Sequence, residues 1–188
     1  NLWSLTFGVA VGWASPVILD LEAGKTPVSS EPMSSDEISW LVGGFCGGAA
    51  VILPFCDKLA EHLGRKKTGY IMAIPFILSW LLTAFATNYA CLLVARIFVG
   101  IAGAMCFFLL PIYVSEISGD SIRGQLGSIL RVAFNVGLVI GYILGAVLSY
   151  EFFAFSALTL PILSLIGFWF LPETPVYLVR KGRLAEAT

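Results

Sequence analysis

Charged side chains are scarce in this chain, and those that could do chemistry fall in two short clusters. One is Glu61-His62-Leu63-Gly64-Arg65-Lys66-Lys67; the other is Arg123-Gly124, with Glu116 seven residues earlier. Neither has the spacing of a metal site or of a nucleophile with its base, and no enzyme constellation stands elsewhere in the chain. No cofactor or metal is expected. Carboxylates and guanidinium groups at segment ends suit a different chemistry, the charge-assisted and often bidentate pairing that ties two ends together. The four cysteines, Cys46, Cys56, Cys91 and Cys106, stand singly in apolar runs and read as buried free thiols. His62, inside the basic stretch, reads as solvated.

The segments between these clusters must position them, and they are apolar. The 188 residues are 58% hydrophobic and 12% charged, where soluble domains carry about a quarter charged residues. Mean hydropathy is +0.90. This is the composition of an integral membrane protein. A net charge of -1 gives no reason to expect nucleic acid as a partner. Crossing a bilayer takes about 20 apolar residues, and six stretches qualify: Leu2–Leu19, Ile38–Cys56, Thr68–Ala86, Tyr89–Val114, Gln125–Ser149 and Phe152–Leu171. Asn1 leads straight into the first, which reads as a chain cut near a membrane helix rather than as a signal peptide.

Residues 20–37 form a polar loop with Gly24, Pro27 and several serines, and Ser34-Ser35-Asp36-Glu37 reads as a capping box opening the second span. Thr87-Asn88 and Tyr150-Glu151 read as tight turns. The connections at 57–67, 115–124 and 172–188 share one side, with Lys58, Arg65, Lys66, Lys67, Arg123, Arg180, Lys181 and Arg183. The opposite side has Lys25 against Asp20, Glu22, Glu31, Asp36, Glu37 and Glu151. The positive-inside rule puts the basic side, and both chain ends, in the cytoplasm.

Pro16, Pro54, Pro75, Pro111 and Pro161 lie within or near the ends of spans and predict bends. Gly8-x3-Gly12, Gly43-Gly44-x2-Gly47-Gly48 and Gly137-x3-Gly141-x3-Gly145 predict smooth faces for close helix contact. The first and fourth spans each carry a small-residue face and then a proline (Gly8, Gly12, Pro16; Gly100, Gly103, Pro111). Two three-helix units of opposite orientation would produce that pattern.

Several strings together resemble the sugar porter family of the major facilitator superfamily. Leu63-Gly64-Arg65-Lys66 is similar to the family's G-R-R/K turn. Arg96-x3-Gly100 is similar to R-x3-G. Pro111-x-Tyr113-x2-Glu116-x6-Arg123-Gly124 is similar to P-x-Y-x2-E-x6-R-G. Pro172-Glu173-Thr174-Pro175, followed by Lys181-Gly182-Arg183, is similar to the P-E-S/T-P string after the sixth span. Glu61 before Leu-Gly-Arg, and Ala133-Phe134-Asn135 after Arg131, resemble the insect trehalose/glucose facilitators of that family. The resemblance implies an all-α membrane fold: six transmembrane helices over 1–171, the N-terminal half of a twelve-helix fold with inverted three-helix repeats. Residues 172–188 would begin the cytoplasmic linker to a second six-helix half.

The resemblance also implies roles. Glu61, Arg65, Lys66, Glu116, Arg123 and Glu173 would form a cytoplasmic gate network, Arg65 and Lys66 pairing with Glu116 and Arg123 with Glu173. Arg96, Pro111 and Tyr113 would be structural. Phe7 and Val11 on the first span, with Arg131, Phe134, Asn135 and Leu138 on the fifth, would contact a small-molecule sugar. The sequence departs from the family at Asp57, where glycine is usual, at Val176, where arginine is usual, and at Arg131, where glutamine is common.

An ionisable residue inside a span is a functional candidate. Arg131 lies about 9 Å into the fifth span, either facing a cavity or snorkelling to the interface. No carboxylate lies mid-span, and Ala10 holds the first-span position where proton-coupled relatives carry an acid. The expectation is therefore facilitated diffusion of a glucose- or trehalose-type sugar across the cell membrane by alternating access. The alternatives are a sugar sensor of the same fold and a non-transporting membrane assembly protein.

Overall fold

A computed structural model of the chain describes residues 1–24, 26, 28, 31–119, 121–171 and 173–180. Lys25, Pro27, Ser29, Ser30, Asp120, Pro172 and the Lys181-Gly182-Arg183 string lie outside them. Six helical segments among the described residues are long and apolar enough to cross a membrane. The first is α1 (Leu2–Gly12) continued by α2 (Ala14–Glu22); then come α3 (Ser35–Leu63), α4 (Arg65–Ala84), α5 (Tyr89–Ile117), α6 (Arg123–Val147) and α7 (Tyr150–Trp169). A short α8 (Pro175–Arg180) follows.

Local chemistry sets the ends. Ser34 and Glu37 form the capping box of α3: the Glu37 amide donates to the Ser34 hydroxyl, and the Ser34 amide donates to the Glu37 carboxylate at 2.9 Å. The Asn88 side chain accepts from the Cys91 amide at 2.9 Å and starts α5. Between α1 and α2, Pro16 cannot donate to the Gly12 carbonyl, and the helix is interrupted at Trp13.

One expected connection is shorter than the apolar runs indicate, and another is shifted by two residues. Most of 57–67 is helical, and α3 and α4 are separated at Gly64 alone, which has φ +91. Tyr150 and Glu151 open α7 instead of forming a turn; Leu148 and Ser149 make it. Hydrogen bonding explains the first. Near lipid a backbone satisfies its own amides by continuing the helix past the point where side chains turn polar.

The bundle is built on two crossings. A Cβ at Gly8 would strike the Phe134 carbonyl, and one at Gly137 the Leu5 carbonyl, so α1 and α6 meet backbone to backbone. A Cβ at Gly48 would strike the Ile97 carbonyl, and one at Gly100 the Phe45 carbonyl, so α3 and α5 meet in the same way. The two crossings correspond residue by residue: Leu5-x2-Gly8 plays the part of Ile97-x2-Gly100, and Phe45-x2-Gly48 that of Phe134-x2-Gly137. This exchange of first with fourth and second with fifth span is what inverted three-helix repeats require. α4 and α7 pack against α1 through rings, with Trp3 stacked on Phe76 at 5.8 Å and edge-on to Phe168 at 6.4 Å. Thr6 and Ser164 share a buried hydrogen bond of 3.2 Å that ties α1 to α7.

The outer faces of α3 and α6 carry exposed Trp40, Val51, Phe55, Val132, Val136, Val139 and Ile143. Cys46 lies on this exposed part of α3 and is not a buried thiol, whereas Cys56 and Cys106 are buried.

Glycine size at the crossings is testable. Gly137→Val forces α1 from α6, an overpacking cost of about 1–3 kcal/mol or more. Gly43→Ala meets nothing within 4 Å and is expected to be silent. Monodispersity and thermal unfolding of the two purified variants would show the difference.

Candidate functional site

One end of the bundle gathers the charged strings. Arg65 is 5% exposed. Its Nη2 donates to Glu116 Oε1 at 2.6 Å, and its Nη1 to the Ala60 carbonyl at 3.3 Å. The guanidinium lies 6.0 Å from the Tyr177 ring centroid. The start of α4 is thus bound to the end of α5 by a nearly dry ion pair. The same end holds a second arrangement. Gly64 starts α4 with φ +91, and a Cβ there would sit 2.6 Å from Glu173 Oε2. The Glu173 carboxylate accepts from the Lys66 amide at 3.0 Å and from the Thr174 amide at 3.1 Å.

Two expected pairings are therefore corrected. Glu173 does not pair with Arg123; it caps the first turn of α4, where unsatisfied amides and the helix dipole favour a carboxylate. Lys66 does not pair with Glu116; its Nζ donates to the Trp169 carbonyl at the end of α7, 3.1 Å away. Arg123 is exposed at the start of α6.

Sequence reasoning missed two contributors. Arg180 reaches Glu61 at 3.3 Å across an exposed pair, and the Tyr177 hydroxyl donates to the His62 carbonyl at 3.2 Å. Arg180 lies one helical turn after Val176, so α8 offers its cation four residues later than the family string does. That spacing was the available signal.

The candidate sugar residues do not converge on one cavity. Arg131 is exposed and lines a cavity of about 530 Å3 with Ser4, Cys106, Phe107, Pro111 and Ser128. Asn135 donates to the Arg131 carbonyl at 3.0 Å but opens onto a separate groove with Val132 and Val136. Four residues turn an α-helix about 40° past a full revolution, enough to send neighbours on one face into different depressions. Phe7 is buried, stacked on Phe45 at 5.9 Å and touching Phe107 and Phe134 at 5.2 and 5.4 Å. Leu138 is half-buried, its backbone against Gly8 and Gly12. Val11 lines a small pocket beside Arg96. Arg96 is 6% exposed, sits 4.2 Å over Trp13 and donates to the Ala10 carbonyl at 3.3 Å. Tyr113 is buried against Phe168 at 5.7 Å.

The family profile described as "Sugar (and other) transporter" matches residues 3–188. The chain belongs to this sugar transporter family. Members of the sugar transporter family are multi-pass membrane proteins and not enzymes, in keeping with the six helices. Among relatives, a facilitated trehalose transporter of Culex quinquefasciatus is 32% identical over 97% of this chain and 35% of its own length. One from Apis mellifera ligustica is 30% identical over all of this chain and 37% of its own length. The chain thus spans about a third of these relatives. The fold matches that of the proton:xylose symporter XylE bound to 6-bromo-6-deoxy-D-glucose, with a TM-score of 0.86 at 20% identity, over 99% of this chain and 46% of that one. An inward-open XylE structure from E. coli gives a TM-score of 0.77 at 19% identity, over 97% and 49% of the two chains. The described bundle therefore has the fold of one half of such a transporter.

The two ion pairs separate by burial. Glu116→Gln leaves Arg65 charged and unmatched in a dry site, a loss of about 3–5 kcal/mol. Arg180→Ala breaks an exposed pair worth about 0–1 kcal/mol. Thermal unfolding of each variant against the parent would measure both.

Proposed function

We propose that this chain is the N-terminal half of a facilitative sugar transporter, working on a glucose- or trehalose-type sugar by alternating access at the cell membrane. Membership of the sugar transporter family over residues 3–188 is the observation that carries this reading. The relatives named as facilitated trehalose transporters narrow it to facilitated diffusion. A second six-helix half completes the pathway, and residues 172–188 begin the link to it. Both ends of the chain lie in the cytoplasm by the charge bias of the connections.

The inner face supports a gating role for Arg65, Lys66, Glu116, Glu173, Glu61 and Arg123. Charged groups there are held by short, directional contacts that movement of helix ends would alter. Arg131 supplies donors to sugar hydroxyls from the cavity wall, with Phe134 and the buried Phe7 behind it as an apolar backing. Ala10 at the first-span position offers no titratable acid; its carbonyl is occupied by Arg96. On this reading transport is driven by the sugar gradient alone.

Uptake of labelled trehalose and glucose into vesicles bearing the full-length protein tests the proposal. Saturable uptake is expected, unchanged by a protonophore at a fixed sugar gradient; collapse under the protonophore rejects the facilitator reading. Arg131→Gln should raise KM several-fold with little change in surface amount. Unchanged kinetics would remove Arg131 from the sugar path.

A further inference from the structure

We propose that Arg96 and the small cavity beside it form a binding site for a small inorganic anion of halide size. Arg96 is 6% exposed and lies eight residues into α5, within the span. A guanidinium keeps its charge in any protein setting. Burying that charge is costly unless an opposite charge or a full set of acceptors meets it. Here the described partners are one backbone carbonyl, of Ala10, and the face of the Trp13 indole. Neither carries a negative charge, and no described carboxylate forms an ion pair with Arg96; the Arg65–Glu116 and Arg180–Glu61 pairs belong to the other end of the bundle.

The surroundings repeat the imbalance. The Trp13 ring touches Trp80 at 6.1 Å and Tyr150 at 6.0 Å. The Nε1 atoms of Trp13 and Trp80 and the Tyr150 hydroxyl are all buried without a hydrogen-bond partner. The two indoles can only donate, while the phenol can also accept, and none of the three lines the cavity beside Arg96. An anion in that cavity supplies the opposite charge that Arg96 lacks.

Size selects the anion. The cavity beside Arg96 is about 110 Å3 and is lined by Val11, Ala14, Leu41, Val42, Phe45 and Arg96. Sites for organic ligands run to about 300–1,000 Å3, so a sugar ring does not fit, while a halide ion does. Apart from Arg96 the lining side chains are apolar. A wall of low dielectric strengthens the attraction between the guanidinium and an ion at its edge. The inference concerns a different place from the Arg131 cavity and does not depend on which solute is carried.

The full-length protein in lipid nanodiscs is titrated with chloride or bromide against gluconate at constant ionic strength. Thermal unfolding and tryptophan emission are followed together. Chloride and bromide are expected to raise the melting temperature saturably by a few degrees, as a ligand bound only to the folded state must. Bromide is also expected to quench emission saturably. Arg96→Gln should lose both responses and Arg96→Lys retain them at weaker affinity. Trp13→Phe should keep a melting shift while losing the saturable quench. The parent titration decides the matter even if Arg96→Gln fails to fold: a folded parent with no halide response in either signal overturns the site. An equal response in folded Arg96→Gln overturns it too.

Discussion

Glycines at which one helix backbone meets another hold this bundle in shape. Between helices in lipid there is little hydrophobic gain to be had, because the acyl chains are as apolar as the side chains they would replace. Association rests on close packing and on hydrogen bonds. Gly8 and Gly137 let α1 and α6 close to backbone contact, and Gly48 and Gly100 do the same for α3 and α5. Each contact places a glycine of one helix under a carbonyl of the next, so neither helix can slide without losing its fit. α4 and α7 then lie against this frame through larger groups, Trp3 of α1 meeting Phe76 and Phe168, while Phe168 also fills the space over Gly69 between α7 and α4. The frame also fixes the polar end. α4 begins where α3 stops at Gly64, and α5 ends beside it, which puts Arg65 within 2.6 Å of Glu116.

The contacts at that end are of two kinds, and they differ in what movement would do to them. The Arg65–Glu116 pair joins two side chains from adjacent helices. The Glu173 cap joins a side chain to the backbone amides of α4. The first depends on how two helices are placed; the second ties the segment after α7 to the start of α4 whatever their neighbours do. Both lie within this bundle. They join the ends of α4 and α5 and the segment that follows α7 into one piece. Arg123 at the start of α6 and Arg131 beside the cavity are exposed side chains.

Much of this was legible in the sequence, for reasons that can be named. A run of apolar residues long enough for a bilayer has few other uses, so six spans could be counted. Ser34 and Glu37 act over three residues, and local spacing is what a sequence displays best. The pairing partners of Glu173 and Lys66 were misread because residue types show side chains and hide backbone donors. The Lys66 and Thr174 amides hold the Glu173 carboxylate, and the Trp169 carbonyl takes the Lys66 ammonium. Trp13 as the partner of Arg96 had no local signal at all, since the contact arises from the packing of α1 on α5. The sugar candidates show the same limit. Arg131 and Asn135 are neighbours on α6, yet the extra rotation between them sends Arg131 to the cavity shared with α5 and Asn135 to a groove on α6 itself.

Depth in the membrane orders the arginines. Arg180, at the watery end, is paired loosely with Glu61, and both remain exposed. Arg65 is buried near that end and has a carboxylate at 2.6 Å. Arg96 is buried inside a span and has an indole face and one carbonyl. A carboxylate beside Arg96 would neutralise it but would also be a second ionisable group within the membrane, able to take up and release a proton. An indole cannot do so. Its quadrupole steadies the cation by roughly 2 kcal/mol when the pair is desolvated, with no titration. Holding Arg96 on Trp13 thus keeps a fixed positive charge in the bundle without creating a proton site.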